Sequence, residues 1–261
     1  MQADVFTRRR NNALIFFALL AILTAGSIII TQYDVQKGFT SIARALIWGA
    51  SNFYPDAGSL TKLPDILVKL RETVLMSIAA TSVAAIFSLL LAVAGSRTTR
   101  ICSSFTVIAR GIASFFRNVP LVAWAMILML AFSQSSLTGF LALFFGSLGF
   151  LTRAFMETID EVGENTVEAL KSTGAAYFPV IFQAVLPASM PQVVSWLLFM
   201  VETNIRDATL VGLLTGTGIG FSFDVYYNAF NYHAASLVVI VIVITVLIVE
   251  MVSNGVRRVI L

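Results

Sequence analysis

Apolar runs long enough to cross a bilayer recur along the chain, since a transmembrane α-helix needs about 20 mostly apolar residues. The longest, 118–152, holds no charged residue over 35 positions. At 1.5 Å per residue it would extend about 52 Å as one helix, so we divide it at the polar turn 133–136. The sequence predicts six transmembrane helices, at 13–30, 73–95, about 111–132, about 137–152, 187 to about 210, and 234 to about 252.

The first run is predicted to be a retained helix. A cleaved signal peptide has a shorter apolar core that ends at a small-residue cleavage site. The run 13–30 is longer and continues directly into Thr31, Gln32, Tyr33 and Asp34. We therefore divide the chain into an N-terminal region, 1–72, with one helix and an outer loop, and a core domain, 73–261.

Composition supports an integral membrane protein. Hydrophobic residues make up 58% of the chain and charged residues 12%, against about 25% charged in soluble domains. The net charge of +3 is small and its basic residues are scattered in short clusters, which excludes a nucleic-acid-binding face. A single cysteine, Cys102, cannot form an internal disulfide.

Basic residues near the span ends predict the orientation, because they are enriched on the cytoplasmic side. With the N-terminus inside, both termini and the segment between the fourth and fifth helices are cytoplasmic. Eleven basic residues then lie inside and six outside. The inner set is Arg8, Arg9, Arg10, Arg97, Arg100, Arg110, Arg117, Arg153, Lys171, Arg257 and Arg258; the outer set is Lys37, Arg44, Lys62, Lys69, Arg71 and Arg206.

The cytoplasmic segment 157–185 is too polar to span the membrane. Asn165 followed by Glu168 is typical of a helix N-terminus, and Gly174 occupies a C-capping position. We predict a helix at 166–173 and a new span starting at Pro187, where a missing N–H does little harm. The segment is either a connecting loop that happens to be helical or a docking element for a cytoplasmic partner.

This segment resembles a known motif. Glu168-Ala169-Leu170, three residues, Gly174, eleven residues and Leu186-Pro187 are similar to the EAA loop of ABC importer permeases. Leu170 replaces the second alanine of that motif and Ala184 its isoleucine.

Further motifs resemble phosphonate importer permeases over about three quarters of the chain. The stretch 202–209, followed by Gly212 and then Gly216, Gly218 and Gly220, is similar to the fifth-helix region of that family. Arg117-Asn118-Val119-Pro120 resembles its third helix. Thr217 and the lack of paired glycines depart from the family pattern and put the substrate in doubt.

The resemblance implies an all-α type I ABC importer permease in the bacterial inner membrane. It implies a homodimer, two cytoplasmic ATP-binding subunits docked at Glu168, Ala169 and Gly174, and an extracytoplasmic protein delivering phosphonate or a related oxyanion such as phosphate or phosphite. This chain would then be no enzyme and would bind no cofactor, with ATP and magnesium on the partner. Consistently, none of the four lysines follows a glycine, so a GxxxxGK phosphate loop is absent from the sequence.

Charged and polar residues near the membrane boundary are candidates for the translocation pathway, because such groups usually face protein or water there. Glu202 and Arg206 lie four residues apart and can pair on one helix face; alternatively Arg206 attracts an oxyanion. Arg117 and Asn118 either line the pathway or anchor the cytoplasmic interface, and Asn204 is a further candidate. We expect Gly216, Gly218 and Gly220 to allow irregular backbone facing a cavity.

Two other functions stay open. An importer of the same architecture could carry an amino acid or a sulfonate. A secondary transporter or channel would need no ATPase, but the inverted repeats typical of such transporters are not apparent in the sequence. No metal site is predicted, because the single histidine, His233, has no second His or Cys nearby.

Overall fold

The computed structural model describes residues 2–100, 102–172 and 174–260, and in these ranges the side chains of residues 2–6, 164–166 and 171 are not described. The described chain is helical throughout, without a β-strand. Its α-helices are α1 (Gln2–Ile30), α2 (Val35–Asn52), α3 (Ala57–Leu60), α4 (Leu63–Gly95), α5 (Ser103–Asn118), α6 (Leu121–Phe132), α7 (Ser136–Ser172), α8 (Tyr177–Val180), α9 (Leu186–Thr215), α10 (Gly218–Asn228) and α11 (Tyr232–Ile260), and a π-helical turn, Ile181–Val185, joins α8 to α9.

The residues up to Phe53 form one compact unit, made of α1 and α2. In α1 the segment Thr7–Ile30 is long and apolar enough to cross a membrane, as predicted for the first run. The outer loop predicted after it is largely the helix α2, whose N-terminus is capped by Asp34 accepting from the Lys37 backbone N–H at 2.8 Å. The helical spacing of its apolar residues, for example Phe39, Ile42 and Leu46, could have predicted it.

The second compact unit begins at Tyr54, ahead of the predicted boundary at 72 and 73. Two features place these residues in the second unit: α3 packs against α11, and α4 starts ten residues earlier than the predicted second span. Pro64 lies in its first turn, a position that tolerates a missing N–H. The charged residues Lys69, Arg71 and Glu72 therefore belong to the same helix as the apolar run that follows.

The structure contains five helices that are long and apolar enough to span, or six if the bent pair α5 and α6 counts as one, over the described residues. The predicted third span starts earlier than expected and is broken at Val119 and Pro120 with a bend of 89°. Proline has no N–H to continue the helical ladder, and its ring restricts the preceding residue to extended backbone. At about 18 Å, the 12 residues of α6 are too short to cross a bilayer alone.

The predicted fourth span and the predicted cytoplasmic helix are one continuous helix, α7, of 37 residues. The prediction of a helix start at Asn165 is wrong: the backbone there lies inside α7, while the Asn165 side chain lies outside the described part of the chain. A pattern of cap residues does not start a helix where an existing helix can propagate, because propagation costs less than nucleation.

As predicted, Pro187 lies in the first turn of an α-helix, α9, which begins at Leu186, but helical backbone also runs without interruption ahead of it, from Tyr177 to Thr215. Before the proline the backbone widens into the π-helical turn, where the Leu186 N–H donates to the Ile181 carbonyl, five residues back. A regular helix would bring the proline ring against the carbonyl four residues earlier. The wider turn accommodates the ring without ending the helix.

The second unit is centred on α7, which packs against α4, α5, α6 and α9. In the apolar 18-residue segment that makes α7 a candidate span, 61% is buried, compared with 33% or less in the corresponding segments of the other candidate spans. After Ile66, the buried residues of α4 are all small, and most are spaced three or four apart on one helix face. Small residues let helix backbones approach closely in membrane proteins; those of α4 are Ser77, Ala80, Thr81, Ala84, Ser88, Ala92 and Gly95.

The break between α5 and α6 is held against α7 at Gly149. A Cβ atom at this buried glycine would lie 2.6 Å from the Arg117 backbone nitrogen and 2.9 Å from the Phe116 carbonyl carbon. The Phe116 carbonyl, which lies near the end of α5, accepts a 3.3 Å hydrogen bond from Trp124 Nε1. Gly149 on α7 and Trp124 on α6 thus support the bend between α5 and α6.

We predict that Gly149→Ala destabilises the protein more than an alanine at an open glycine. The new methyl group would meet backbone atoms that cannot rotate away, and such overpacking costs about 1–3 kcal/mol. Gly255→Ala in α11 is the matched control, because nothing lies within 4 Å of its Cβ position and alanine favours a helix. Thermal unfolding of the purified protein in detergent measures both, and equal stability of the two variants would contradict the packing described here.

Candidate functional site

The predicted coupling residues lie at the exposed end of α7. Glu168 and Ala169 are exposed on its last turns, and Gly174 follows with φ +80°. The Ala175 N–H donates to the Leu170 carbonyl at 3.2 Å, the six-to-one bond that closes a Schellman helix end. The prediction that Gly174 caps the helix is confirmed, although Thr173, the predicted last residue, lies outside the described part. Nothing lies within 4 Å of a Cβ at Gly174, so the backbone conformation alone requires glycine there.

Behind this helix end, hydrogen bonds tie α7 and α8 to the turn after α4. Asp160 Oδ1 accepts from Ser96 Oγ at 2.5 Å and from both the backbone N–H and Oγ1 of Thr98 at 3.0 Å. The Tyr177 hydroxyl donates to the Thr99 carbonyl at 2.6 Å. These residues were not predicted, because their partners are 62 to 78 positions away and no local pattern pairs them.

Asn204, predicted as a pathway residue, is instead buried inside the helix bundle at 1% exposure. Its amide nitrogen donates to Thr81 Oγ1 on α4 and to Ser147 Oγ on α7, each at 2.7 Å. Its backbone carbonyl accepts from Ser77 Oγ at 3.1 Å. The side chain joins three helices and offers no open surface to a solute within this chain.

Glu202 and Arg206 form the ion pair predicted from their spacing, with 3.2 Å between Glu202 Oε1 and Arg206 Nη2. Their surroundings differ, since the Glu202 side chain is 11% exposed and that of Arg206 50%. A carboxylate this buried needs a partner, because an unpaired charge shielded from water is costly. The guanidinium keeps an open side, which is compatible with either predicted role.

Arg117 and Asn118 are both exposed at the C-terminal end of α5, next to the break at Pro120. Together with Ser114 and Arg153 they line a cavity of about 290 Å³ between α5 and α7. Arg117 makes no ion pair with any carboxylate in the described ranges. Its surroundings are therefore a polar cleft inside the second unit.

The three glycines predicted to face a cavity instead build a tight reversal between α9 and α10. Gly216 ends α9 in the left-handed conformation, φ +67°, and Gly218 starts α10 at φ +61°. A Cβ at Gly220 would meet the Thr209 carbonyl oxygen and would lie 2.8 Å from the Leu213 nitrogen. The irregular backbone expected at 216–218 is present, but Gly218 and Gly220 are buried against neighbouring helices.

A second contact fixes this reversal to α4. Thr73 Oγ1 accepts a 2.8 Å hydrogen bond from the Ile219 N–H, one of the donors left without a partner at the start of a helix. A side chain at Gly218 would collide with that hydroxyl. The glycines therefore serve close packing of α10 on α4 and α9.

The fold and these sites define a polytopic helical membrane component with an exposed helix end at one side. The chain belongs to the family of binding-protein-dependent transport system inner membrane components, which it matches over residues 84–260. It is thus a multi-pass protein of the bacterial inner membrane.

Two relatives match most of this chain. The phosphate-import permease protein PhnE of Mycolicibacterium smegmatis is 30% identical over 190 residues, 73% of this chain but 36% of its own length. The phosphite transport system permease protein PtxC of Stutzerimonas stutzeri is 32% identical over 187 residues, 72% of this chain and 68% of its own. These matches confirm the resemblance to phosphonate-type ABC importer permeases.

A solved structure shows the same fold. A chain of the MetNI methionine ABC transporter in an inward-facing conformation superposes with a TM-score of 0.63 at 18% identity. The superposition covers 76% of this chain and 98% of that one. The all-helical fold is therefore shared with an ABC transporter of known structure.

We predict that Glu202 and Arg206 are coupled in stability. Arg206→Gln leaves a largely buried carboxylate without its partner and should cost about 1–3 kcal/mol, whereas Glu202→Gln with Arg206→Gln should recover most of that loss. A double-mutant cycle on thermal unfolding measures the coupling, and simple additivity of the two single changes would contradict it. Uptake by the double variant then distinguishes the two roles predicted for Arg206. Full uptake would show that Arg206 acts only as the partner of Glu202. Uptake impaired as much as in Arg206→Gln would show that Arg206 attracts the anion.

Proposed function

We propose that this chain is the membrane-spanning permease subunit of an ATP-driven importer for phosphonate or a related small oxyanion, phosphate or phosphite. The observation that carries the proposal is the family match over 84–260 together with relatives of about 30% identity that are named for phosphate and phosphite transport. The geometry supports it through the exposed, glycine-ended helix that the EAA-like residues form.

ATP hydrolysis is assigned to a partner. We propose that two ATP-binding subunits dock at Glu168, Ala169 and Gly174, on two copies of this permease, and that an extracytoplasmic protein delivers the solute. Because α7 is one continuous helix from Ser136 to Ser172, a displacement of its exposed end is transmitted to the buried middle of the unit. This gives a mechanical route from the docking site to the helices around the pathway.

Two basic sites fit an anionic solute. Arg206 presents the free side of its guanidinium while Glu202 holds the other, and Arg117 with Asn118 lines the cleft between α5 and α7. A guanidinium group can bind two oxygens of a tetrahedral oxyanion at once. Asn204 is not included, because it is buried and fully engaged in hydrogen bonds to neighbouring helices.

Uptake into vesicles tests the function and its coupling site together. With the ATPase subunits and the binding protein reconstituted, we expect ATP-dependent uptake of radiolabelled methylphosphonate, phosphite or phosphate. Gly174→Val should lower both uptake and transport-stimulated hydrolysis, because a β-branched residue at φ +80° is strained by about 1–3 kcal/mol. Gly174→Asn is the matched control, since asparagine tolerates the left-handed conformation.

ATP-dependent uptake of methionine or a sulfonate, with none of any oxyanion, would overturn the proposed solute while leaving the importer architecture intact. Uptake without ATP would overturn the importer itself. If Gly174→Val and Gly174→Asn both keep the uptake and hydrolysis of the wild type, the helix end at Gly174 has no part in coupling.

The proposed orientation, with both termini cytoplasmic, is tested with the native thiol. Cys102 is exposed at the start of α5, and hydrogen bonding from the Ser104 backbone lowers the pKa of its thiol. The thiolate is the reactive form, so a maleimide should label Cys102 rapidly in inside-out vesicles. In sealed right-side-out vesicles an impermeant maleimide should leave it unlabelled.

The control is Thr61→Cys in a Cys102→Ser background. Thr61 is exposed between α3 and α4, on the proposed outer side, and should show the opposite labelling pattern. Labelling of native Cys102 from outside would contradict the proposed orientation and indicate the opposite one.

A further inference from the structure

An open cleft between α5 and α7 collects arginines beyond those of the proposed pathway. A cavity of about 470 Å³ there is lined by Arg97, Arg110 and Arg153, with Ser114, Glu157 and Asp160. This volume lies within the range of about 300–1,000 Å³ typical of small-molecule sites. Arg97 comes from the turn after α4, so three parts of the chain contribute to the cleft.

This cavity adjoins the one that Arg117 lines, since the two share Ala113, Ser114 and Arg153. On α5 the residues Arg110, Ser114 and Arg117 are spaced four and three apart, which places them on one helix face. We call the combined space the arginine cleft. Its wall carries four guanidinium groups, with Ala113 and Met156 as apolar members of the lining.

The two carboxylates in the arginine cleft compensate only half of the charge of its four arginines. Glu157 Oε1 pairs with Arg153 Nε at 2.8 Å. Asp160 is occupied by the hydrogen bonds from Ser96 and Thr98. Across the part of the chain that the structure describes, no carboxylate lies within 4 Å of the guanidinium nitrogens of Arg97, Arg110 or Arg117. Four arginines against two carboxylates leave a formal charge of +2.

We propose that the arginine cleft binds a tetrahedral oxyanion of the phosphate type. All its cations are arginines, whose planar guanidinium can hold two oxygens of such an anion in parallel hydrogen bonds. The concave wall allows several guanidinium groups to reach one ligand. The same chemistry is offered by a free phosphate or phosphonate ion and by the phosphodiester headgroup of an anionic lipid.

The position of the cleft links it to coupling. Arg97 lies in the turn 96–100, which is bonded to α7 through Asp160 and Thr98 and to α8 through Thr99 and Tyr177. An anion held by Arg97 therefore restrains the turn against which the predicted docking segment rests. A bound anion would therefore regulate coupling. This regulatory role rests on the proposed function, which places the cleft on the cytoplasmic side, where an imported oxyanion accumulates. The binding itself does not depend on the proposed function.

The test measures, by calorimetry, the binding of inorganic phosphate to the full-length permease in nanodiscs of phosphatidylcholine. Arg97→Gln and Arg110→Gln should each weaken binding about tenfold or more, because each removes a charged hydrogen-bonding partner. Arg100→Gln is the matched control: Arg100 is exposed on the same turn but lines neither cavity. It should change the affinity by less than about twofold.

A second arm distinguishes the two sources of the anion. In nanodiscs containing phosphatidylglycerol, a headgroup in the cleft would displace phosphate and would stay bound in native mass spectrometry of the wild type but not of Arg110→Gln. Either phosphate binding or this selective lipid retention supports the proposal. It is overturned if neither is seen, if Arg100→Gln has the same effect, or if the arginine variants weaken only assembly with the ATPase subunits.

Ser114→Glu is a second test of the cleft, which keeps the proposal testable if the arginine variants misfold. Ser114 is exposed and lines both cavities, so a carboxylate there should halve the formal charge of the cleft, repel the anion and abolish phosphate binding with every arginine retained. Persistence of full binding in this variant would place the anion elsewhere. Because binding is measured on the permease alone, absence of phosphate and lipid binding in a wild-type permease with normal uptake refutes this inference only. Binding without any uptake refutes only the proposed function.

Discussion

The amide of Asn204 lies where α4, α7 and α9 meet, and its hydrogen bonds fix how these helices pack. A buried amide without partners costs roughly 2–7 kcal/mol, and no water in the hydrocarbon core can replace a lost partner. Thr81 and Ser147 satisfy both N–H groups only in the observed register. Sliding one helix by a turn, about 5.4 Å, would break both bonds.

Close packing follows from that register. The small residues of α4 allow α7 to approach, and the same approach brings Gly149 against the end of α5. Thr73 also accepts from the Ile219 N–H in the first turn of α10, so the glycine-rich reversal after α9 is fixed to the same helix, α4. One polar junction thus sets the positions of the elements that carry the candidate sites.

Interruptions of regular helix place the functional groups. The break at Pro120 leaves Arg117 and Asn118 at a helix end that lines a cleft, and Gly174 ends α7 so that the chain returns as α8. Asp160 of α7 and Tyr177 of α8 are both hydrogen-bonded to the turn that carries Arg97. The arginine cleft and the docking segment therefore share one hydrogen-bonded framework, and each can influence the other without a long chain of contacts.

Several features were determined by the sequence alone. Long uncharged runs predict spans because bare backbone is tolerated in lipid only as helix or barrel. Gly174 could be predicted as a helix end, and the Glu202–Arg206 pair as neighbours, because both depend on residues within one turn. The family resemblance rested on motifs that are likewise local, at 168–174 and 202–220.

Only the tertiary structure decided the rest, because the energies concerned arise between segments far apart in sequence. Asn165 has the pattern of a cap, yet α7 continues through it. Pro187 lies in the first turn of α9 as its pattern predicts, yet a π-helical turn joins α9 to the helical residues ahead of it. Asn204 looked like a pathway residue until its partners, 57 and 123 positions away, showed it to be buried. The arginine cleft exists because packing sets one face of α5 beside α7 and the turn after α4, and no local pattern of charges specifies that meeting.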